Sequence, residues 1–301
     1  MNSSEKAMKA IHQYLDEYKD EITEENINDY MQKAIKQYNQ NIQLQREGKL
    51  ELTIEEQAYE YYDEACQASS YKEAKRLIKK ALELKPHFTD AQLELLLWEE
   101  DPIKCLKALK KLEQEEKSYL EKEDMFNKEN ISHFYGILET RPYMRILHII
   151  GNTLKEMSCF RKAAEVFEYM ITLNQNDNLG VRFQLMGIYA ILEDQENMDR
   201  INDLYPMNTV PYHLFQAALS YKLFDLTKAR RHIRELNKLV PECKKIFSGQ
   251  IDIDDYISDS PPGYYKPYSI DELIIFMNDF DTLFFNAEII NFFHHTLNTK
   301  K

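Results

Sequence analysis

Residues 158–175 read SCFRKAAEVFEYMITLNQ, and the placing of the small residue within them decides the fold. Counting from Ala163, Phe167 and Met170 follow at four and seven positions, and Asn174 and Gln175 close the stretch at eleven and twelve. Positions i, i+4 and i+7 share one face of a helix, so this is an amphipathic helix with an alanine at a fixed point on its apolar stripe. Gly151 lies twelve residues before Ala163, on the helix that precedes it. A glycine and an alanine at matched positions let two helices cross closely. The same frame recurs on Ala229, with Ala217 twelve before and Ile233, Leu236 and Pro241 at four, seven and twelve after. The two frames are 229 − 163 = 66 residues apart, twice 33. A third frame centres on Ala74, with Ile78, Ala81 and Pro86, and a fourth on Ala108, with Leu112 four residues on.

A period near 33 residues means stacked two-helix units, each leaving an apolar face that only the next unit covers. The segments 69–86 (SSYKEAKRLIKKALELKP), 158–175 and 223–241 (LFDLTKARRHIRELNKLVP) resemble the second helix of the tetratricopeptide repeat. The unit over 178–206 is degenerate, since its Gly187 falls out of frame, which leaves three good repeats and two weak ones. The fold class predicted is all-α: a right-handed α-solenoid of such hairpins with capping helices at both ends.

Working outward, residues 1–48 form two N-terminal capping helices that stop at Gly48. Repeats occupy 49–120, a charged hinge or linker 121–133, and further repeats 134–247. Residues 248–269 hold three of the nine prolines and four acids, an extended loop. Ser269 and Glu272 then open a last helix over 270–293 with the spacing of a capping box, so that 248–301 is a proline-rich loop and a C-terminal capping helix.

Charged residues at 30% and the lack of an apolar run near 20 residues point to a soluble protein with no membrane span. The net charge of −13 opposes nucleic-acid backbones and anionic membranes. Cys66, Cys105, Cys159 and Cys243 form no CxxC pair, which excludes the usual zinc spacing, and free thiols with no export signal fit the cytoplasm. His294 and His295 read as a polar tail. The acids Asp252, Asp254, Asp255 and Asp259 lack the glycine of a calcium loop and read as solvated. No nucleophile elbow, P-loop or HExxH is present. No cofactor, no metal and no reaction are expected.

The stretch ETRPYMR, residues 139–145, departs from this monotony. Pro142 suits a first helical turn, with Thr140 or Arg141 as the cap. Arg141 and Arg145 then sit four apart at the positive end of a helix, where they want an anionic partner. Either Glu139 and nearby acids supply it, as an ion-pair network, or a ligand carboxylate or phosphate does. Residues 174–182, NQNDNLGVR, repeat the pattern with Asn178 and Arg182. Arg141, Tyr143, Arg145, Asn178 and Arg182 are the candidate site for a peptide or anion.

Residues 134–192 resemble the suppression-of-tumorigenicity family and its soluble bacterial relatives, which carry a glycine–aromatic lead-in, ETRPYMR and an N-D-N-x-G-x-R turn. The likeness loosens towards Pro241, and Tyr135 stands where a tryptophan is expected. The membrane segments of the animal members and the Cys/His motif of some bacterial ones are absent. The resemblance implies a helical repeat protein and no reaction. The function expected is a non-enzymatic protein–protein interaction scaffold whose groove binds a peptide or partner protein. The alternative is a regulator whose two lobes close on a small anionic ligand or signalling peptide.

Overall fold

A computed structural model describes residues 3–253, 256 and 264–299 of the chain. Every regular element among the described residues is helical, and no strand occurs. The chain divides into two compact units, Met1–Ile150 and Gly151–Lys301.

The first unit holds α1 (Ser3–Glu17), α2 (Ile27–Arg46), α3 (Ile54–Gln67), α4 (Tyr71–Leu84), α5 (Thr89–Leu97), α6 (Pro102–Lys122) and the start of α7 (Arg141–Glu156). Neighbours pack as pairs, α1 on α2, α3 on α4 and α5 on α6. Gly48, at φ +67°, follows the end of α2 in the left-handed region that stops a helix. A capping box starts α3. The Thr53 hydroxyl accepts from the Glu56 N–H at 3.2 Å, and the Glu56 carboxylate accepts from the Thr53 N–H at 2.7 Å. The frame on Ala74 is buried as its spacing requires, with Leu77, Ile78 and Ala81 packed against Ala58 and Tyr59 of α3. The frame on Ala108 is buried only in part, since Leu112 is buried and Ala108 half-buried. The buried stripe of α6 is Cys105, Leu109, Leu112 and Leu120, one residue round from Ala108. The front of the charged stretch 121–133 continues α6 to Lys122, and turns lead from there to a 3-10 turn at Phe134–Gly136.

The second unit continues with α8 (Phe160–Leu173), α9 (Val181–Leu192), α10 (Gln195–Leu204), α11 (Val210–Lys222) and α12 (Leu226–Leu239). The short α13 (Cys243–Phe247) follows, then α14 (Ile270–Asp279), α15 (Asp281–Phe284) and α16 (Ala287–Asn298). The turns into α8, α10 and α12 each place one residue in the left-handed region, Ser158 at φ 57°, Glu193 at 61° and Phe224 at 61°. Ala163 and Ala229 lie five residues after their turns, and Met198 lies five after Glu193. The degenerate unit therefore keeps the hairpin and replaces the alanine. Gly151 does what the spacing requires: a Cβ there would lie 2.5 Å from the Phe167 ring of α8. Gly187 serves a different contact. Its missing Cβ leaves room for Phe280, whose ring atoms would stand 2.2 Å away. Between neighbouring hairpins, Lys222 of α11 donates to the Ala190 carbonyl at 3.1 Å and the Ile191 carbonyl at 2.5 Å, satisfying the C-terminal end of α9.

The single C-terminal helix expected over 270–293 is three short ones. Phe280 leaves helical geometry at φ −129° and ψ 48°, which turns its ring inward. The Asn286 side chain caps α16 by accepting from the Glu288 and Ile289 N–H groups. Asp254, Asp255 and Asp259, and the paired prolines of the loop, lie outside the described residues.

Phe224 is 87% exposed and left-handed at once. A bulky residue there carries about 1 kcal/mol of backbone strain and buries little in return. Phe224→Gly is expected to stabilise the chain by up to about 1 kcal/mol in urea denaturation. A loss of stability would show that the ring makes a contact its exposure denies.

Candidate functional site

The arginines at the start of α7 are held by acids distant in sequence. Arg145 forms a fork on Asp90 of α5, Nε to Oδ1 and Nη2 to Oδ2, both at 2.8 Å, while its Nη1 donates to Glu5 of α1 at 2.9 Å. Arg141 Nη1 lies 3.3 Å from the same Glu5 oxygen, and its Nε donates to the Tyr135 carbonyl at 2.8 Å. Glu5 and Asp90 are 3% and 6% exposed, so these are ion pairs largely withdrawn from water. The partner is not the adjacent Glu139, which is exposed. Burial pushes Asp90 up, and the positive charges around it, Arg145 among them, bring it below the usual aspartate value. Tyr143 is fully buried, with its hydroxyl donating to Glu113 at 2.6 Å and its ring beside Phe126 and Phe134. Thr140 immediately precedes α7, its carbonyl accepts from the Met144 N–H at 3.2 Å, and its hydroxyl donates back towards the carbonyls of Phe134 and Ile137. A cavity of about 470 Å³ adjoins Arg145, and Glu5, Asp63, Asp90 and Glu94 also line it. An anion entering it meets four carboxylates.

Arg182 belongs to the second unit and pairs with Asp177. That carboxylate accepts from the Val181 N–H at 2.8 Å, the Arg182 N–H at 3.1 Å and Arg182 Nη1 at 2.9 Å. Asp177 is thus an N-terminal cap of α9, reached from a left-handed φ of 46° with Gly180 at +67° completing the turn. The Arg182 guanidinium lies over Phe183 at 4.5 Å, and Asn178 is exposed beside it.

A concave site that the motifs did not reveal lies between α1, α2 and α3. It encloses about 530 Å³. From α2 it takes two parallel columns at four-residue spacing, Ala34, Tyr38 and Ile42 as floor, and Gln37, Asn41 and Gln45 as a row of carboxamides. From α1 it takes Ala10 and Tyr14, with Lys9, Gln13 and Glu17 beside them. The third wall is Thr53, Glu56 and Glu60 with Tyr59 of α3. Glu55 is clamped at its edge by Lys9 at 2.7 Å and by Lys85. Burial opposes ionisation of Glu55, yet hydrogen bonds from Lys85 and Lys9 hold it down at about 2. The signal for this site was in the sequence, as i, i+4 columns on α2. Such columns are equally what the inner face of a capping helix presents.

Two histidines meet inside the second unit. His213 of α11 and His232 of α12 face each other Nδ1 to Nδ1 at 3.0 Å, and His213 Nε2 lies 2.6 Å from Asn208 Oδ1. If Asn208 accepts from His213 Nε2–H, then His232 Nδ1–H donates to His213 Nδ1 and both rings are neutral. His232 Nε2 is then a bare acceptor, buried with no hydrogen-bond partner. Burial lowers both pKa values, and the neighbouring His213, Arg231 and Lys228 help take His232 down to about 3 against the opposing Glu235. The unfolded chain takes up this proton near pH 6.5, so stability is full above that pH and falls as pH drops from 6.5 towards 3. With an allowance for solvent screening, the His232 contribution amounts to about 2 kcal/mol lost by pH 4. In urea melts at pH 4 and 7, a His213→Leu/His232→Leu variant is expected to show that much less pH dependence. Equal dependence in both chains would mean that the pair titrates normally.

Among the described residues no group of three or more His, Cys, Asp or Glu side chains could hold a metal ion, and no helix is long and apolar enough to cross a membrane. No protein-family model matches the chain, and no curated protein matches it.

Proposed function

We propose that this chain is a non-enzymatic, cytoplasmic interaction scaffold of the tetratricopeptide type, similar to soluble bacterial members of the suppression-of-tumorigenicity family, with its hairpins wound as a right-handed α-solenoid. In this reading it binds a peptide or a segment of a partner protein. The observation that carries it is the three-walled groove of about 530 Å³ between α1, α2 and α3, a volume in the range of ligand sites, with a mixed floor of tyrosine and aliphatic side chains under polar rims. Further support comes from the paired packing of the helices and the recurrence of the left-handed turn residue at Ser158, Glu193 and Phe224.

Arg141, Tyr143 and Arg145 act here as positioning residues. The two arginines hold Glu5, and with it α1, which forms one wall of the groove, while Tyr143 anchors the start of α7 through Glu113. Asn178 and Arg182 are proposed as a separate contact of the second unit with polar groups of the partner.

Photo-crosslinking tests this reading. A benzophenone amino acid in place of Tyr38, inside the groove, should capture peptides selected against the chain from a random display library. The same probe in place of Tyr71, exposed on α4 and outside the groove, should not. Equal capture at both positions, or none at Tyr38, would refute a peptide site here.

A further inference from the structure

We infer that the groove between α1, α2 and α3 takes an extended, basic peptide segment and holds it by its main chain. This rests on the proposed reading of the groove as a peptide site, and it goes further by assigning the chemistry of the occupant.

The first argument is spacing. Gln37, Asn41 and Gln45 stand four residues apart along α2, about 6 Å per step at the helical rise. Two residues of an extended chain advance about 6.6 Å, and alternate peptide groups point the same way. A carboxamide offers one carbonyl acceptor and an NH₂ donor, the complement of a peptide N–H and C=O. Gln37 and Asn41 are exposed and make no hydrogen bond among the described residues. Gln45 gives its Nε2 to Glu56 at 3.0 Å and keeps its carbonyl oxygen to accept. The row therefore presents polar groups in step with every second residue of an extended chain, over about four residues. A helical ligand has already paired its own amides and gains nothing from such a row.

The second argument is the floor. Every other side chain of the ligand points down onto Ala34, Tyr38 and Ile42, a column with little polar character apart from one hydroxyl. No deep pocket selects one side chain there, so recognition through the main chain tolerates different residues at those positions.

The third argument is charge. Lys6 and Lys9 line the groove but are committed, Lys6 to Asp63 and Lys9 to Glu55. Glu55 is neutralised by Lys9 and Lys85, and Glu56 is engaged by Thr53 and Gln45. Glu17 and Glu60 remain, both exposed and with neither hydrogen bond nor ion pair among the described residues. With the lysines neutralised and two carboxylates left over, the groove favours lysine or arginine on the ligand, and the net charge of −13 draws such a ligand in.

The test is fluorescence anisotropy of the full chain with a labelled ten-residue peptide of alternating threonine and lysine, which prefers an extended form. A glutamate-for-lysine peptide and a peptide N-methylated at every second amide serve as comparisons. The lysine peptide should bind most tightly, and N-methylation should weaken it about tenfold, as expected for two lost hydrogen bonds. Gln37→Ala/Asn41→Ala should cost about the same factor, and both positions are exposed, so the melting curve should stay in place. Glu17→Gln/Glu60→Gln should weaken lysine-peptide binding and flatten its salt dependence. Unchanged affinity on N-methylation or in the carboxamide variant overturns main-chain recognition. Equal binding of the glutamate peptide overturns the charge preference. If none of the three peptides binds while crosslinking at Tyr38 still captures selected peptides, this inference falls and the peptide site stands. If neither happens, both fall.

Discussion

Arg145→Ala is expected to lower the stability of the chain by about 3–5 kcal/mol, the range for breaking a buried ion pair from one side. The reason lies in what remains. Asp90 and Glu5 are nearly inaccessible to water, and the substitution removes the fork that satisfies both oxygens of the first and one donor to the second. An exposed pair would cost no more than about 1 kcal/mol. Arg145→Lys is expected to recover only part of the loss, since an ammonium cannot bridge both Asp90 oxygens in one plane. Glu5→Gln should be milder, since Arg145 keeps its fork on Asp90. The sign of the pH effect is also determined. In the native chain Asp90 sits below its ordinary value, so its contribution is present above the usual aspartate range and is lost as pH falls. Without Arg145, Asp90 loses part of the positive charge that lowers it and titrates higher, so the gap between variant and native chain should narrow as the solution is acidified. Trp98, the one tryptophan of the sequence, follows α5 in the same unit as Asp90 and reports the unfolding by fluorescence in urea. A midpoint shift worth less than about 1 kcal/mol would show that the pair is solvated after all.

The second large effect is at Phe280. Phe280→Ala is expected to cost about 3–5 kcal/mol, as truncation of a buried ring does. The ring is 1% exposed, packs edge-on to Phe215 at 4.8 Å and lies under the Lys155 ammonium at 4.7 Å. Its counterpart is Gly187. Glycine to alanine inside a helix ordinarily gains about 1 kcal/mol. Here the new methyl would stand 2.2 Å from one ring atom of Phe280 and 2.3 Å from the next, and the ring, boxed by Phe215, has no room to swing. Gly187→Ala should therefore destabilise by about 1–3 kcal/mol, against its helix propensity. Thermal melts of the two single variants and of Gly187→Ala/Phe280→Ala together should show a double cost smaller than the sum, because the clash disappears with the ring. Strict additivity would place the cost of Gly187→Ala somewhere other than the Phe280 contact.

The contrast between Gly151 and Gly187 shows where sequence reading works and where it stops. Gly151 sits in a frame that repeats, and its partner Phe167 is sixteen residues away on the next helix, so periodicity alone pairs them. Gly187 was out of frame for a reason: its partner lies 93 residues on, in a segment that reads as one helix until Phe280 breaks it. Met198 likewise hid a complete hairpin, because a flexible methionine fills the place of an alanine without spoiling the turn at Glu193. In α6 the reverse holds: Leu112 of the Ala108 frame is buried, but Ala108 itself lies half-buried at the edge of the stripe.

What the sequence determined by itself is the helical class, the three strong frames, the stop at Gly48 and the start at Ser269, all of which depend on spacings of a few residues and on backbone geometry that only certain side chains permit. What only tertiary structure decided is the company each charge keeps. Glu5 and Asp90 come to Arg145 from 140 and 55 residues away, and no local spacing encodes that meeting. The same holds for the paired histidines and for the groove, whose walls come from three helices brought side by side. Periodicity states which face of a helix must be covered, whereas the choice of what covers it is made by the packing of the whole unit.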